Sequence, residues 1–225
     1  MISIAIDGPS GSGKSTVSKI IANELGFMCV DTGALYRAVA YFVRESGIDP
    51  ENEQAVIECL KKIDLKVKNN FSKQKIILKG KLLGKELRTP DVTKISPIIA
   101  KYEYVRKFLL GFQRELAKTN NTVLNGRDIG TVVIPNADVK IFLTASPEIR
   151  AKRRLKQMRA NGIDVDYDNI LKSIIRRDHE DKTREISPLK KADDAVLVDS
   201  SNYALDQTIN KILDIIKEKI GGFYG

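Results

Sequence analysis

Ile2-Ser3-Ile4-Ala5-Ile6-Asp7-Gly8-Pro9-Ser10-Gly11-Ser12-Gly13-Lys14-Ser15-Thr16 decides how the rest of the chain is read. From Gly8 to Ser15 it has the spacing G-x-x-x-x-G-K-[ST]. Four residues between the outer glycines let successive N–H groups turn into one concavity that seats phosphate oxygens. Lys14 has the reach to meet the outer phosphates, and the Ser15 hydroxyl is a ligand for Mg²⁺. The helix that starts here adds its positive end. The flanks are those the motif needs. Ile2 to Ile6 is a short β-rich run, and Val17, Ile20, Ile21 and Leu25 recur at helical spacing until Gly26 stops them. A Gly/Ser turn that binds nothing needs neither the four fixed places nor these neighbours.

A chain of 225 residues, 42% of them apolar, fits one domain with a sizeable core. No apolar run is long enough for a membrane span, and no basic stretch precedes the first strand as a signal peptide requires. Cys29 and Cys59 have no metal-ligand spacing, and His179 is the sole histidine, so a zinc site or a Ser-His-Asp triad is poorly supported. Two reduced thiols point to the cytoplasm. The net charge of +9 admits nucleic acid, membrane surfaces or small polyanions as partners. Many of the lysines, such as Lys61-Lys62 and those from Lys73 to Lys85, read as solvated surface.

Further along, Phe27 to Asp31 reads as a second strand and residues 34–44 as a helix ended by Gly47. Asp49-Pro50 is expected to open another helix, with Asp49 as cap, running to about Ile63. Leu65 to Leu83 reads as a small antiparallel meander, with turns at Asn69-Asn70 and Lys79-Gly80. Thr89 to Pro97 reads as a cap-rich crossing segment. Val105, Phe108, Leu109, Phe112 and Leu116 mark an amphipathic helix. Residues 122–124, 139–143 and 195–198 complete the core strands. Ser146-Pro147-Glu148 opens a very basic helix broken at Asn161-Gly162. Residues 170–180 form another helix, and Ile209, Ile212, Leu213 and Ile216 place a last one at the end. The alternation predicts an α/β fold, a five-stranded parallel sheet with helices on both faces.

Ligands of such sheets bind beyond the carboxyl ends of the strands. The loop from Gly8, Asp31-Thr32-Gly33 and Gly126-Arg127-Asp128 follow the first three strands, so they are expected to converge. Two arginine groups come next: Arg150, Arg153 and Arg154 in the basic helix, then Arg176, Arg177 and Arg184 around Asp178 and Asp181. An exposed ion pair contributes only ~0–1 kcal/mol. An arginine supplied to a transferring phosphoryl group is worth roughly 10³–10⁵ in rate. Lys152, Lys156 and Arg159 read as a solvated face.

These stretches resemble bacterial cytidylate kinases, of the nucleoside monophosphate kinase group. The marks are Ile6 to Thr16, Asp31 to Arg37 (D-T-G-A-L-Y-R), Gly126 to Pro135, Val139 to Ser146, Arg150 to Arg154, and Arg177 to Arg184 (R-D-x-x-D-x-x-R), spread over nearly the whole chain. The resemblance implies transfer of the ATP γ-phosphoryl group to CMP or dCMP with Mg²⁺, a step of pyrimidine nucleotide metabolism. It implies an adenylate-kinase-like core (about 1–31, 105–148 and 182–225), a nucleotide-binding lobe with the β insert (about 32–104) and a helical lid (about 149–181). It assigns Gly8, Pro9, Ser10, Gly11, Ser12, Gly13, Lys14, Ser15 and Thr16 to ATP, with Ser15 on the metal. Thr32, where the family often has serine, Arg37 and Arg127 fall to the acceptor phosphate. Arg106 and Asp128 fall to the cytosine, Arg177 and Asp181 to the ribose, and Arg184 to the phosphates. Lys14, Arg37, Arg127, Arg153 and Arg184 would be the catalytic set. The family's cytosine-contacting serine aligns at Pro97, one residue after Ser96. A cytoplasmic monomer is expected, with no nucleic acid or membrane partner. Two rivals are a P-loop kinase of a non-nucleotide small molecule and a nucleic-acid-dependent ATPase. The first leaves Asp128 and Arg106 without a base to read, and the second lacks an aromatic stacking array or nucleic-acid-binding motif.

Overall fold

The computed structural model describes residues 1–70, 73–160 and 162–221. The larger sheet contains β1 (Ser3–Asp7), β2 (Met28–Asp31), β6 (Thr122–Gly126), β7 (Val139–Thr144) and β8 (Val196–Asp199). Its order is β2-β6-β1-β7-β8, with β1 parallel to β7 and β7 parallel to β8. The smaller sheet is antiparallel: β3 (Leu65–Asn70), β4 (Lys73–Leu78) and β5 (Lys81–Leu83), in that order. The helices are α1 (Lys14–Glu24), α2 (Thr32–Glu45), α3 (Glu53–Leu60), α4 (Pro90–Ile99), α5 (Glu103–Thr119), α6 (Pro147–Ala160), α7 (Tyr167–Thr183) and α8 (Leu205–Ile220). The α/β fold with its β insert is therefore as the sequence predicts. Among the described residues no helix is long and apolar enough to cross a membrane.

The chain divides into two compact units. One is Met1 with Ala22–Thr122; the other is Ile2–Ile21 with Val123–Gly225. In the first, the apolar face of α2 (Leu35, Ala38, Val39, Phe42) is buried with Val56, Leu60, Ile76, Leu78, Val105 and Leu109. In the second, Ile4, Ile6, Leu124, Ile141, Leu143 and Val198 of the strands are buried, as are Ile212 and Ile216 of α8. A smaller cluster of Ala151, Ile170 and Ile174, with Leu155 and Met158 packed against it, holds α6 to α7.

Several local expectations need correction. Asp49 caps no helix: its carboxylate accepts from the Glu51 N–H in a tight turn, and the cap of α3 lies three residues later, where the Asn52 side chain accepts from Ala55 N. Helix α3 also stops at Leu60 rather than Ile63, because Lys62 and Ile63 donate three residues back and tighten the chain. Asn69-Asn70 is not the turn but the end of β3. The crossing segment is α4, with Pro90 in its first turn, where a missing N–H costs nothing, and Pro97 in its last stretch. Asn161, expected to break the basic helix, lies outside the described residues. The Lys79-Gly80 turn holds: both residues have positive φ, 47° and 79°, as a tight hairpin needs. One unforeseen element is a π-turn at Ile129–Val133 directly after Asp128, closed by Val133 N–H to Asp128 O at 3.1 Å.

Gly8 shows how tightly the sheet constrains the loop. A Cβ there would lie 2.0 Å from the Leu143 carbonyl oxygen, and φ is +148°. Gly8→Ala is expected to cost about 3 kcal/mol or more through backbone displacement and strain. Thermal unfolding should fall by roughly 6–12 °C for a chain of this size. A melting temperature unchanged from the wild type would overturn this close packing of the ends of β1 and β7.

Candidate active site

The loop between β1 and α1 turns on glycines with positive φ at Gly8, Gly11 and Gly13, so its amides gather around one hollow. Lys14 is buried, and its Nζ donates to the Pro9 carbonyl at 2.6 Å and to Ser12 Oγ at 3.3 Å. Ser12 Oγ donates to the same carbonyl at 3.1 Å. Ser10 contributes its carbonyl to Arg150, at 2.9 Å from Nη1. Thr16 N–H closes the first turn of α1 onto Gly13 O at 3.0 Å. Ser15 is exposed, and its Oγ donates to Asn125 Oδ1, 3.2 Å away at the end of β6. This oxygen set suits Mg²⁺, which is held by few protein ligands and completes its shell with phosphate and water. Among the described residues no group of three or more His, Cys, Asp or Glu forms a protein-only cage.

Two arginines of α6 brace this loop. Arg150 is 2% exposed. Its Nε donates to Ala145 O at 2.8 Å, and its two terminal nitrogens grip both oxygens of Asp178 on α7. A Cβ on Gly11 would sit 3.3 Å from that of Arg150. Arg150 is therefore a fixed buttress of the loop. Arg153, one turn on and half-buried, donates to Ser200 O at 2.8 Å, to Ser200 Oγ at 3.2 Å and to Ser12 O at 3.4 Å. Lys152, Lys156 and Arg159 are exposed, as their reading as solvated surface requires.

The other predicted residues of this unit come together at the end of β6. Arg127 Nε donates to Asp181 Oδ2 at 2.8 Å. Arg177 approaches the same oxygen at 3.8 Å, and Arg184 reaches Asp181 and Asp128 at 3.9 Å each. Burial alone would raise the Asp181 carboxyl, but Arg127, then Arg177 and Arg184, outweigh it and hold it below the usual carboxylate range. Three guanidinium groups meet two carboxylates, so the cluster carries excess positive charge suited to a phosphate.

In the first unit Thr32 starts α2 and is buried. Asp31 caps that helix through Ala34 N, and its second oxygen accepts from Arg37 Nη2 at 3.3 Å. Arg106, buried in α5, donates to Ala100 O at 3.0 Å and lies 5.6 Å over the ring of Tyr36. Arg37 and Arg106 are thus each oriented by neighbours in their own unit.

The sequence reading names Arg150 and Asp178 within its arginine groups but assigns no role to them, nor to Asn125, Ser200 or Asp7. Asp7 carried a signal: a carboxylate ending an otherwise apolar buried strand, one residue before the loop. It is 5% exposed, and its two oxygens accept from Ile129 N and Gly130 N at 2.8 Å each. Burial pushes its carboxyl up to about 6, helped by Asp128 and opposed by those two N–H groups and Lys14. A raised acid favours folding when protonated, so stability falls as pH rises from the unfolded value near 4 through 6, by about 3 kcal/mol. Asp7→Asn should lack this step. The stability of the wild type relative to Asp7→Asn is expected to fall between pH 4 and 6.5 and then level off. Denaturant unfolding of both proteins across that range checks it; a constant difference would rule out a raised Asp7.

Comparison with known proteins places these features in a family. The profile described as Cytidylate kinase matches residues 4–218. The cytidylate kinase of Thermosipho africanus is 47% identical over 216 residues, 96% of this chain and 95% of that one. The cytidylate kinase of Caldicellulosiruptor bescii is 42% identical over 214 residues, 95% of each chain. Among solved structures, an uncharacterized protein from Eubacterium ventriosum shares the fold with a TM-score of 0.52 at 14% identity, covering 96% of this chain and 99% of that one. A profile match over residues 4–218 and relatives more than 40% identical over nearly the whole chain show that this chain belongs to the cytidylate kinase family.

Proposed function

We propose that this kinase transfers the γ-phosphoryl group of ATP to CMP or dCMP, giving ADP and CDP or dCDP. The observation that carries the reading is the link through Asp7: the residue that precedes the phosphate loop binds the turn that follows Asp128, so a donor seat and a base-reading carboxylate share one framework. Asp128 accepts a hydrogen bond from the exocyclic amine of cytosine, and Arg106 donates to the ring acceptors. Uracil presents O4 to the same carboxylate and offers no donor.

The acceptor phosphate is already an anion, so the step needs no general base. One of its oxygens forms a bond to the γ-phosphorus while the bridging oxygen to the β-phosphorus leaves with the electron pair as ADP. The protein's part is positioning and charge stabilisation. Thr32, Arg37 and Arg127 hold the acceptor phosphate; Arg177 and Asp181 hold the ribose. Gly8 to Thr16 hold ATP, with Lys14 on its outer phosphates. Mg²⁺, held through Ser15, neutralises donor phosphate charge when bound. Arg153 and Arg184 neutralise charge on the group in transfer. The segment of about 149–181 serves as a lid that excludes water, and Arg150 keeps its start tied to Ser10, so closure falls to the parts beyond. The protein acts on free nucleotides as a cytoplasmic monomer, in keeping with thiols rather than a disulfide at Cys29 and Cys59.

ADP formation measured against CMP, dCMP, UMP, AMP, GMP and dTMP should be strongest with CMP and dCMP. Asp128→Asn should lower kcat/KM for CMP by about 10–100-fold and for UMP far less. Preference for another nucleotide would overturn the base reading while keeping phosphoryl transfer. Arg153→Ala should lower kcat by about 10³-fold with little change in melting temperature. Near-normal turnover of that variant would remove Arg153 from the catalytic set.

A further inference from the structure

The turn after Asp128 is capped from a distance. Ile129 and Gly130 open a π-turn, and the N–H groups at the start of such a turn need acceptors. The residue in the cap position is Asp128, whose side chain makes no cap hydrogen bond. Asp7 does that work instead: each of its oxygens takes one of the two N–H groups at 2.8 Å. The contact is close on every side. A Cβ on Gly130 would meet Lys140 Cδ at 3.1 Å and Asp7 Oδ2 at 3.5 Å. The Asp128 carboxylate lies instead 3.9 Å from Arg184.

A carboxylate that merely capped a turn for stability would be a poor choice here. Asp7 is buried, and desolvation works against its charged form. An amide of the same size would avoid that cost, but it has only one acceptor oxygen for two donors and would turn an NH₂ toward one of them. A carboxylate gives each N–H its own oxygen.

We infer that Asp7 is a positioning residue for base selection: by holding Ile129 N and Gly130 N it fixes the backbone that aims Asp128, and it ties that aim to the strand end from which the phosphate loop departs. The inference rests on Asp128 reading the cytosine amine, as proposed above. Asp7 touches neither nucleotide base nor transferred phosphate in this role. A shift of Asp128 by a fraction of an ångström weakens the bond to the amine, which CMP has and UMP lacks.

The test compares kcat and KM for CMP and UMP in the wild type, Asp7→Asn, Asp128→Asn and the double variant, with melting temperatures for all four. The inference expects Asp7→Asn to raise KM for CMP by about 10-fold or more and to reduce the CMP-to-UMP ratio of kcat/KM by a similar factor. UMP turnover should change less than about 3-fold. In the Asp128→Asn background, Asp7→Asn should leave the ratio unchanged, because there is no carboxylate left to aim. Should Asp7→Asn not fold, Asp7→Glu carries the same expectation, since it keeps both oxygens and moves them by one methylene. A lowered melting temperature with CMP and UMP depressed equally would overturn the inference and leave Asp7 a structural group. A wild type that prefers CMP, with the preference lost in Asp128→Asn but intact in Asp7→Asn, would overturn it and spare the base reading. A wild type that does not distinguish CMP from UMP would overturn both.

Discussion

At the end of β1 two demands fall on consecutive residues. Gly8 passes so near the Leu143 carbonyl that no Cβ fits, and both oxygens of Asp7 are engaged by the turn after β6. Strand β1 lies in the middle of the five-stranded order, so its end is flanked on both sides and has no freedom to adjust. The glycine-rich loop starts from this point. The loop curls away from Gly8, and the amides of Ile129 and Gly130 are held beside Asp128 by the residue before it. Moving either residue displaces two neighbouring strand ends together.

A second constraint acts from α6. Burying a guanidinium is costly unless its nitrogens find acceptors, and all three nitrogens of Arg150 do, with two backbone carbonyls and a bidentate carboxylate. Such a pair contributes little net stability but is very costly to break, so it specifies an arrangement more than it strengthens the fold. Here it fixes the first turn of α6 and the fourth turn of α7 against the loop. The same helix thus holds one arginine locked beneath the loop, another within reach of its carbonyls, and a solvated basic face.

The sequence made the fold legible because its signals are local. The spacing from Gly8 to Ser15, the positive-φ pair Lys79-Gly80 and the apolar periodicity of α2 and α5 each depend on neighbours a few residues away. The misreadings were local competitions settled by geometry: Asn52 outdid Asp49 as a cap, and Pro90 started a helix where a cap-rich crossing segment was expected. The site was legible in part. The cluster of Arg127, Asp128, Arg177, Asp181 and Arg184 follows from motif spacing, and the structure brings all five together. Arg150 and Asp7 were not legible as a buttress and a remote cap. Their partners stand 28 and more than 120 positions away, and a lone arginine in a basic helix looks the same whether it is locked or solvated.

The small sheet has a duty beyond covering α2. From β4, Gln74 Oε1 accepts the Asp31 N–H at 2.8 Å, and Asp31 in turn caps α2 and engages Arg37. Side chains of a strand alternate faces with a period of two, so a slip of β4 by one residue would swing Gln74 to the opposite side and strand that N–H. The meander therefore works as a gauge of its own alignment. Changes in the Lys79-Gly80 hairpin that preserve register are silent at Arg37, whereas a single-residue insertion between Gln74 and Ile76 is felt at the start of α2. The outer decoration of this insert can change without reaching Arg37, but its phase cannot.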